Sequence, residues 1–439
     1  MKRILTTLLI LTLTCPIFST GFALTEPEID SPAAILVDLE SGSTLYEKNA
    51  DKVMYPASIT KILSAIVVLE YFQLDELVTV DKNSPYEVGD STHIALEPGE
   101  VLTVDQLLHA GLIRSANDAM KVLARAVAGS EPAFAELMNE KALELGASQT
   151  HFVNATGLPD ENHVTTAADM AKIAAYAMTI PEFAAIVQTP YYKIPPTNIK
   201  ENERYFETTN KLLFSPGKRI SYHGSSIPIK YPGTIGMKTG YTSQAKNTLV
   251  AAAENGDAKL LLVILNTSGS NLYIDAHTLL DFGFENFKKR NVCVANEYIT
   301  QIPILSGDRP DLAAIVKSTV ALPFSTDRDP IFGKIVIPAE NLEAPVHKGD
   351  EVGKVEYYFE DQLIARVSLI AATDVRFIGK VTTLMDQKPI PTAVLISAGV
   401  IGLFAIVLLF GQAMRLRNQR MRKKRRLALN EQRKKENMQ

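Results

Sequence analysis

Apolar residues recur along this chain with two different periods. Residues 33–46 read as an apolar run, the turn Ser41-Gly42-Ser43 and a second apolar run, which predicts two strands joined by a glycine-containing turn. Pro56 then opens a stretch with Ile62, Leu63, Ile66, Val67 and Leu69 at helical spacing, predicting a helix over residues 58–71. From 103 to 178 the helical period dominates and alanine is abundant. Thr103 is placed as the cap of a helix starting at Val104; further helices are expected over 118–127, 131–145 and 166–178, the last capped by Thr165 or Thr166. The period then shortens. Residues 234–239, 248–253 and 259–265 read as strands, Asn255-Gly256 as the tight turn between the last two, and 271–287 as a helix. Short strands meeting in hairpins around an inserted helical block predict an α+β domain with an antiparallel sheet, over residues 24–290. After Arg290 only short β-prone runs remain, at 297–300, 335–337, 355–359 and 364–367, separated by turns such as Lys348-Gly349-Asp350. They predict a small all-β domain over 291–380.

The two ends differ from everything between them. Met1-Lys2-Arg3, an apolar stretch over 4–18 and Gly21-Phe22-Ala23 read as a secretory signal peptide, residues 1–23, cut after about Ala23. Residues 392–411 carry no charge; a helix rising ~1.5 Å per residue there spans about 30 Å, so a transmembrane helix is expected over 391–413. The tail, 414–439, holds 11 Lys/Arg against 2 Glu. The positive-inside rule puts it in the cytoplasm, and hence the bulk of the chain, exported, outside a membrane crossed once. The overall charge of -4 hides a tail of +9 on a body of -13, so no nucleic-acid partner is expected. Of the two cysteines, Cys15 lies in the leader, and Thr14 before it is not the small residue a lipoprotein signal needs. Cys293 alone makes no disulfide and reads as a small buried apolar side chain. The seven histidines are scattered, and no CxxC or HExxH pattern predicts a metal; no cofactor is expected.

Three short motifs carry the chemistry: Ser58-Ile-Thr-Lys61, Ser115-Ala-Asn117 and Lys238-Thr239-Gly240. On one predicted helix, Ser58 and Lys61 share a face at i and i+3. A serine hydroxyl is a weak nucleophile until a base takes its proton. Lysine is that general base only if burial or a second cation lowers its pKa, and Lys238 is the candidate cation. Ser115 is read as a proton relay toward the leaving amine, and Asn117 as holding Lys61 and the substrate amide. Lys238 and the Thr239 hydroxyl suit a substrate carboxylate. Gly240 lets a strand approach closely at the end of the strand carrying it. The backbone N–H of Tyr241 joins that of Ser58 as an expected oxyanion hole. Singly, each motif is equally a cap or a turn: Ser215-Pro-Gly-Lys218 and Ser243-Gln-Ala-Lys246 repeat the first spacing without a helical context. Three motifs in one order and in compatible local structures favour acyl transfer through a serine ester.

The chain resembles the serine D-alanyl-D-alanine carboxypeptidases, low-molecular-mass penicillin-binding proteins, over about 33–377. Further matches are Tyr55-Pro-Ala-Ser-Ile-Thr-Lys61, Asn154-Ala-Thr-Gly157-Leu158 followed by His163 and Thr166-Ala-Ala-Asp169, and Thr209-Asn210-Lys-Leu-Leu213. The resemblance implies a penicilloyl-serine transferase, β-lactamase-like catalytic domain and a β-rich domain that lifts it from the membrane. It implies removal of the terminal D-Ala from peptidoglycan pentapeptides through an acyl-Ser58 intermediate, with β-lactams acylating the same serine. Family members often carry a terminal amphipathic helix; the apolar segment here departs from that. Three other readings fit the motifs less well. A class A β-lactamase needs a further Glu for deacylation, and no Glu-x-x-Leu-Asn lies between Asn117 and Lys238. A non-catalytic wall-binding scaffold would not require the intact trio. A Ser-His-Asp hydrolase on a Gly-x-Ser-x-Gly elbow lacks that elbow.

Overall fold

The computed structural model describes residues 24–327 and 329–378. The predicted leader, the 391–413 segment and the basic tail lie outside the described residues. Contacts divide the chain into two units. The first holds the chain to Thr300 together with Ala314–Ala339 and Glu351–Ile370; the second holds Gln301–Ala313, Glu340–Asp350 and the described residues from Ala371.

In the first unit the chain runs β1 (Ala33–Asp38), β2 (Thr44–Lys48), α1 (Lys61–Tyr71), β3 (Leu77–Thr79), β4 (Val101–Thr103), α2 (Val104–His109), α3 (Asn117–Ala128), α4 (Glu131–Glu144), α5 (Ala167–Ala177) and α6 (Pro181–Val187). Short hairpins follow, β5 (Tyr191–Ile194) with β6 (Arg204–Glu207) and β7 (Arg219–Tyr222) with β8 (Ser225–Pro228), then β9 (Thr234–Thr242), β10 (Lys246–Asn255), β11 (Ala258–Thr267) and α7 (Asn271–Asn286). Five strands form one antiparallel sheet in the order β2-β1-β11-β10-β9. β1 is buried at every position because both faces of the sheet are covered. Ala33, Ile35 and Val37 pack with the helical block, while Ala34 and Leu36 pack with α7 through Leu279 and Leu280. The expected Asn255-Gly256 turn joins β10 to β11, with Asn255 opposite Ala258.

Local chemistry explains the helix starts. Thr103 and Gln106 make a reciprocal capping box at α2, Gln106 N–H to Thr103 Oγ1 at 3.1 Å and Thr103 N–H to Gln106 Oε1 at 2.9 Å. Thr166 caps α5 by accepting from Asp169 N–H at 3.1 Å. Two details correct the sequence reading. Ser58 lies not in an α-helix but in a 3₁₀ turn, Ala57–Thr60, that runs into α1. Lys238-Thr239-Gly240 does not end its strand, for β9 continues to Thr242.

From Phe287 onward every regular element among the described residues is a strand: β12 (Phe287–Cys293), β13 (Tyr298–Pro303), β14 (Asp311–Val316), β15 (Val320–Ser325), β16 (Gly333–Pro338), β17 (Glu351–Phe359) and β18 (Gln362–Ala371). Within the first unit β12 pairs β15, and β17 pairs both β16 and β18. Cys293 is a buried free thiol, as expected. Within the second unit, single bridges join Leu305 to Glu343, Gly307 to Phe377 and Val346 to Val375.

Candidate active site

Pro56, with φ at -76°, starts the turn that presents Ser58, and Ala57 adopts a left-handed φ of 52°. A non-glycine residue in that region costs about 1–2 kcal/mol, so its surroundings must hold it. Two glycines press on it. A Cβ at Gly157 (φ 81°) would lie 1.9 Å from the Ala57 carbonyl oxygen, and one at Gly240 would lie 2.8 Å from Ser58 N. Thr248 of β10 ties the same turn down, its hydroxyl donating to Pro56 O at 2.8 Å. The nucleophile candidate thus sits where the helical block meets the edge strand of the sheet.

Lys61, the first residue of α1, is fully buried; its Nζ donates to Ser58 Oγ at 3.0 Å and to the Thr156 carbonyl at 2.6 Å. Burial foremost, and then the charge of Lys238, hold its pKa well below the ordinary 10.5; Asp118 opposes them. Lys238 is also fully buried, and burial brings it down to about 7. Its Nζ donates to the Thr239 carbonyl at 2.7 Å. Two amines share this site, and an arriving carboxylate would favour the proton on Lys238.

Ser115 ends a π-helical turn, Ala110–Arg114, in a left-handed conformation with φ 70°. That turn packs against both α1 and β9, which brings the second motif to the other two. Asn117 opens α3 and is buried. The structure does not place it on Lys61, as the sequence reading expected: its Nδ2 donates to Ser91 Oγ at 2.7 Å, and its Oδ1 has no partner. The Thr156 carbonyl takes the place expected of Asn117, for the loop after Asn154 is bonded to α1 through both Lys61 and Ser64. Ser91 in turn donates to Val88 O at 2.5 Å, so toward Asn117 it offers only a lone pair; this leaves the Asn117 carbonyl oxygen as a buried, unused acceptor. Thr239 donates to Thr209 Oγ1 at 2.8 Å, and Asn210 Nδ2 to the Gly236 carbonyl at 3.0 Å. Tyr241 follows on β9 and is exposed.

Sequence reasoning assigned no role to Thr60, Ser91, Thr156, Thr209 or Thr248. Thr60 lay inside the Tyr55–Lys61 match, Thr156 inside the Asn154–His163 stretch and Thr209 inside Thr209-Asn210, each as a match without a function; Ser91 and Thr248 carried no signal. His163 is buried, with Nε2 2.8 Å from Thr60 Oγ1, and belongs to the packing behind the turn that carries Ser58.

Sheet, helical block and motifs together define a serine hydrolase built on a penicillin-binding-protein scaffold. A family model described as D-alanyl-D-alanine carboxypeptidase matches residues 20–269, and one described as penicillin-binding protein 5, C-terminal domain, matches 287–376. The chain is 30% identical to D-alanyl-D-alanine carboxypeptidase DacC of Escherichia coli, over 82% of this chain and 89% of that protein. It is 28% identical to DacF of Bacillus subtilis, over 88% and 97%. The solved penicillin-binding protein 5 of Haemophilus influenzae superposes with a TM-score of 0.66 at 26% identity, covering 81% of this chain and all of that one. The chain belongs to the D-alanyl-D-alanine carboxypeptidase family, with a β-lactamase-like catalytic domain followed by an all-β domain.

Proposed function

We propose that Ser58 is the acyl-accepting nucleophile of this carboxypeptidase and Lys61 its general base. Neutral Lys61 takes the hydroxyl proton as Ser58 Oγ attacks the carbonyl between the two terminal D-Ala residues of a peptidoglycan pentapeptide. The Ser58 and Tyr241 N–H groups stabilise the oxyanion. Ser115 passes the proton to the departing D-Ala nitrogen, the C–N bond breaks, and an acyl-Ser58 ester remains. Water, activated in the same way, releases the tetrapeptide and restores the hydroxyl. Lys238 and Thr239 hold the terminal carboxylate, and the free Asn117 Oδ1 accepts a substrate amide N–H. The observation that carries this reading is the fully buried amine 3.0 Å from the Ser58 hydroxyl, next to a second buried lysine. A β-lactam acylates the same oxygen, its strained amide standing for the D-Ala-D-Ala bond.

Labelling with a fluorescent penicillin tests the assignment. The wild-type chain is expected to label once per molecule, and Ser58→Ala not at all. Incubation with pentapeptide muropeptides should yield tetrapeptide and free D-Ala by mass spectrometry. Rapid hydrolysis of the penicillin would point instead to a β-lactamase, and an unlabelled wild type to a scaffold.

We further propose that the chain is exported and held at the cell membrane by residues 391–413, with 414–439 in the cytoplasm. The uncharged stretch over 392–411 and the basic block after it support this. A chain ending at residue 378 is expected to partition with the soluble fraction while the full chain stays with membranes; equal partitioning counts against the anchor.

A further inference from the structure

The peptide joining Ala57 to Ser58 is gripped by groups that take no part in the steps above. In a trans peptide the carbonyl and the N–H point opposite ways. Whatever fixes the Ala57 oxygen therefore also aims the Ser58 N–H. That oxygen accepts from Thr60 Oγ1 at 2.8 Å. With its one proton given to Ala57, Thr60 meets His163 Nε2, 2.8 Å away, as an acceptor. His163 Nδ1 accepts from Val153 N–H at 3.1 Å, which leaves the ring proton on Nε2. The hydrogen bonds thus run one way, from Val153 N–H through His163 and Thr60 to the Ala57 carbonyl. The ring is 2% exposed and stacks on Phe152, with centroids 4.9 Å apart. Burial pushes its pKa down to about 3, so the neutral tautomer persists across the working range. Gly157 packs on the carbonyl from outside the chain of bonds, and Gly240 of β9 lies against the nitrogen.

We propose that His163 and Thr60 are positioning residues that aim the Ser58 N–H into the oxyanion site by anchoring the Ala57 carbonyl in its left-handed turn. This rests on the reading of Ser58 as nucleophile and oxyanion donor. Neither residue touches substrate. Their contribution is to orientation, which matters most when negative charge develops on the substrate oxygen. A change in either is therefore expected to act on the acylation rate and on tetrahedral adducts, and to spare ground-state binding.

The test compares Thr60→Val, which keeps the shape and loses the hydroxyl, with Thr60→Ser, which keeps the hydroxyl, in the full chain. For Thr60→Val, kcat on an N-acylated D-Ala-D-Ala peptide and the rate of penicillin acylation are expected to fall about 10- to 100-fold. KM should change little, and the affinity for phenylboronic acid, which forms a tetrahedral adduct on the serine, should fall in step with kcat. Thr60→Ser should restore most of the loss, and His163→Gln should resemble Thr60→Val. Thermal unfolding of each variant separates lost folding from lost rate per folded molecule. Wild-type acylation per folded Thr60→Val molecule, or equal losses in KM and boronate affinity, would overturn the proposal while leaving Ser58 as nucleophile. A wild type that penicillin does not label, or a Ser58→Ala variant that it does, would overturn the underlying reading itself.

Discussion

Replacing Lys61 by methionine should slow acylation of Ser58 by at least about a thousandfold, the scale of a lost general base. The unbranched methionine fills much of the buried space at the start of α1, so the fold should remain. Measuring penicillin labelling over time in wild type and variant checks this, and a variant that labels at the wild-type rate removes Lys61 as base. The pH dependence follows from the direction of the shift. Lys61 accepts a proton only when neutral, so the acylation rate rises with pH as it deprotonates. Because burial and Lys238 hold its pKa well below 10.5, that rise is complete at lower pH than for an exposed lysine. Lys238→Met removes one of those causes and should move the rising limb toward higher pH, besides weakening the hold on the substrate carboxylate. Lys61→Met should lack the limb altogether.

Gly157→Ala is expected to damage the site more than any other single methyl added near it. The residue has φ 81°, and the new Cβ would lie 1.9 Å from the Ala57 oxygen and 2.9 Å from Ser58 N, both backbone atoms without a rotamer to change. Forced overpacking and a left-handed alanine together cost about 2–4 kcal/mol. Thermal unfolding should shift down by roughly 5–15 °C. Any relief displaces the Ala57–Ser58 peptide, so penicillin labelling of the folded variant should fall steeply as well. A Gly157→Ala chain that unfolds and labels like the wild type would show that the loop gives way without moving the turn.

Much of the catalytic domain could be read in the sequence because burial leaves a periodic trace. The unbroken apolar run at 33–37 marks a strand covered on both faces, and Thr103 and Thr166 mark their helices by side-chain chemistry. The trio of motifs could be picked out because its members are particular side chains at fixed spacings, which the chain displays directly. What stayed hidden depends on backbone groups or on tertiary contact. The Thr156 carbonyl that receives Lys61 is a peptide oxygen, which any residue supplies. Asn117 turns to Ser91, 26 positions earlier, and no local pattern announces that meeting. The π-helical turn before Ser115 interrupts a stretch whose composition is simply helical. β12 has no clear strand pattern because Lys288, Lys289 and Arg290 give it the look of a solvated loop, although it pairs with β15 from Phe287 to Cys293 with one register shift after Asn291. The 3₁₀ turn at Ser58 differs from the expected α-helix by the conformation of a few residues, which spacing alone does not distinguish.

Ser58 and Lys61 hang from the helical block, while Lys238, Thr239 and Gly240 belong to the rim of the sheet. The candidate site therefore lies at a seam between two slabs, not within one. On the proposed assignment, a ligand bonded to Ser58 and clasped by Lys238 would be a strut bridging them, and occupancy would be mechanically linked to the cohesion of the catalytic half. On that assignment, loosening the seam is expected to blunt the chemistry before a single reactive side chain is altered.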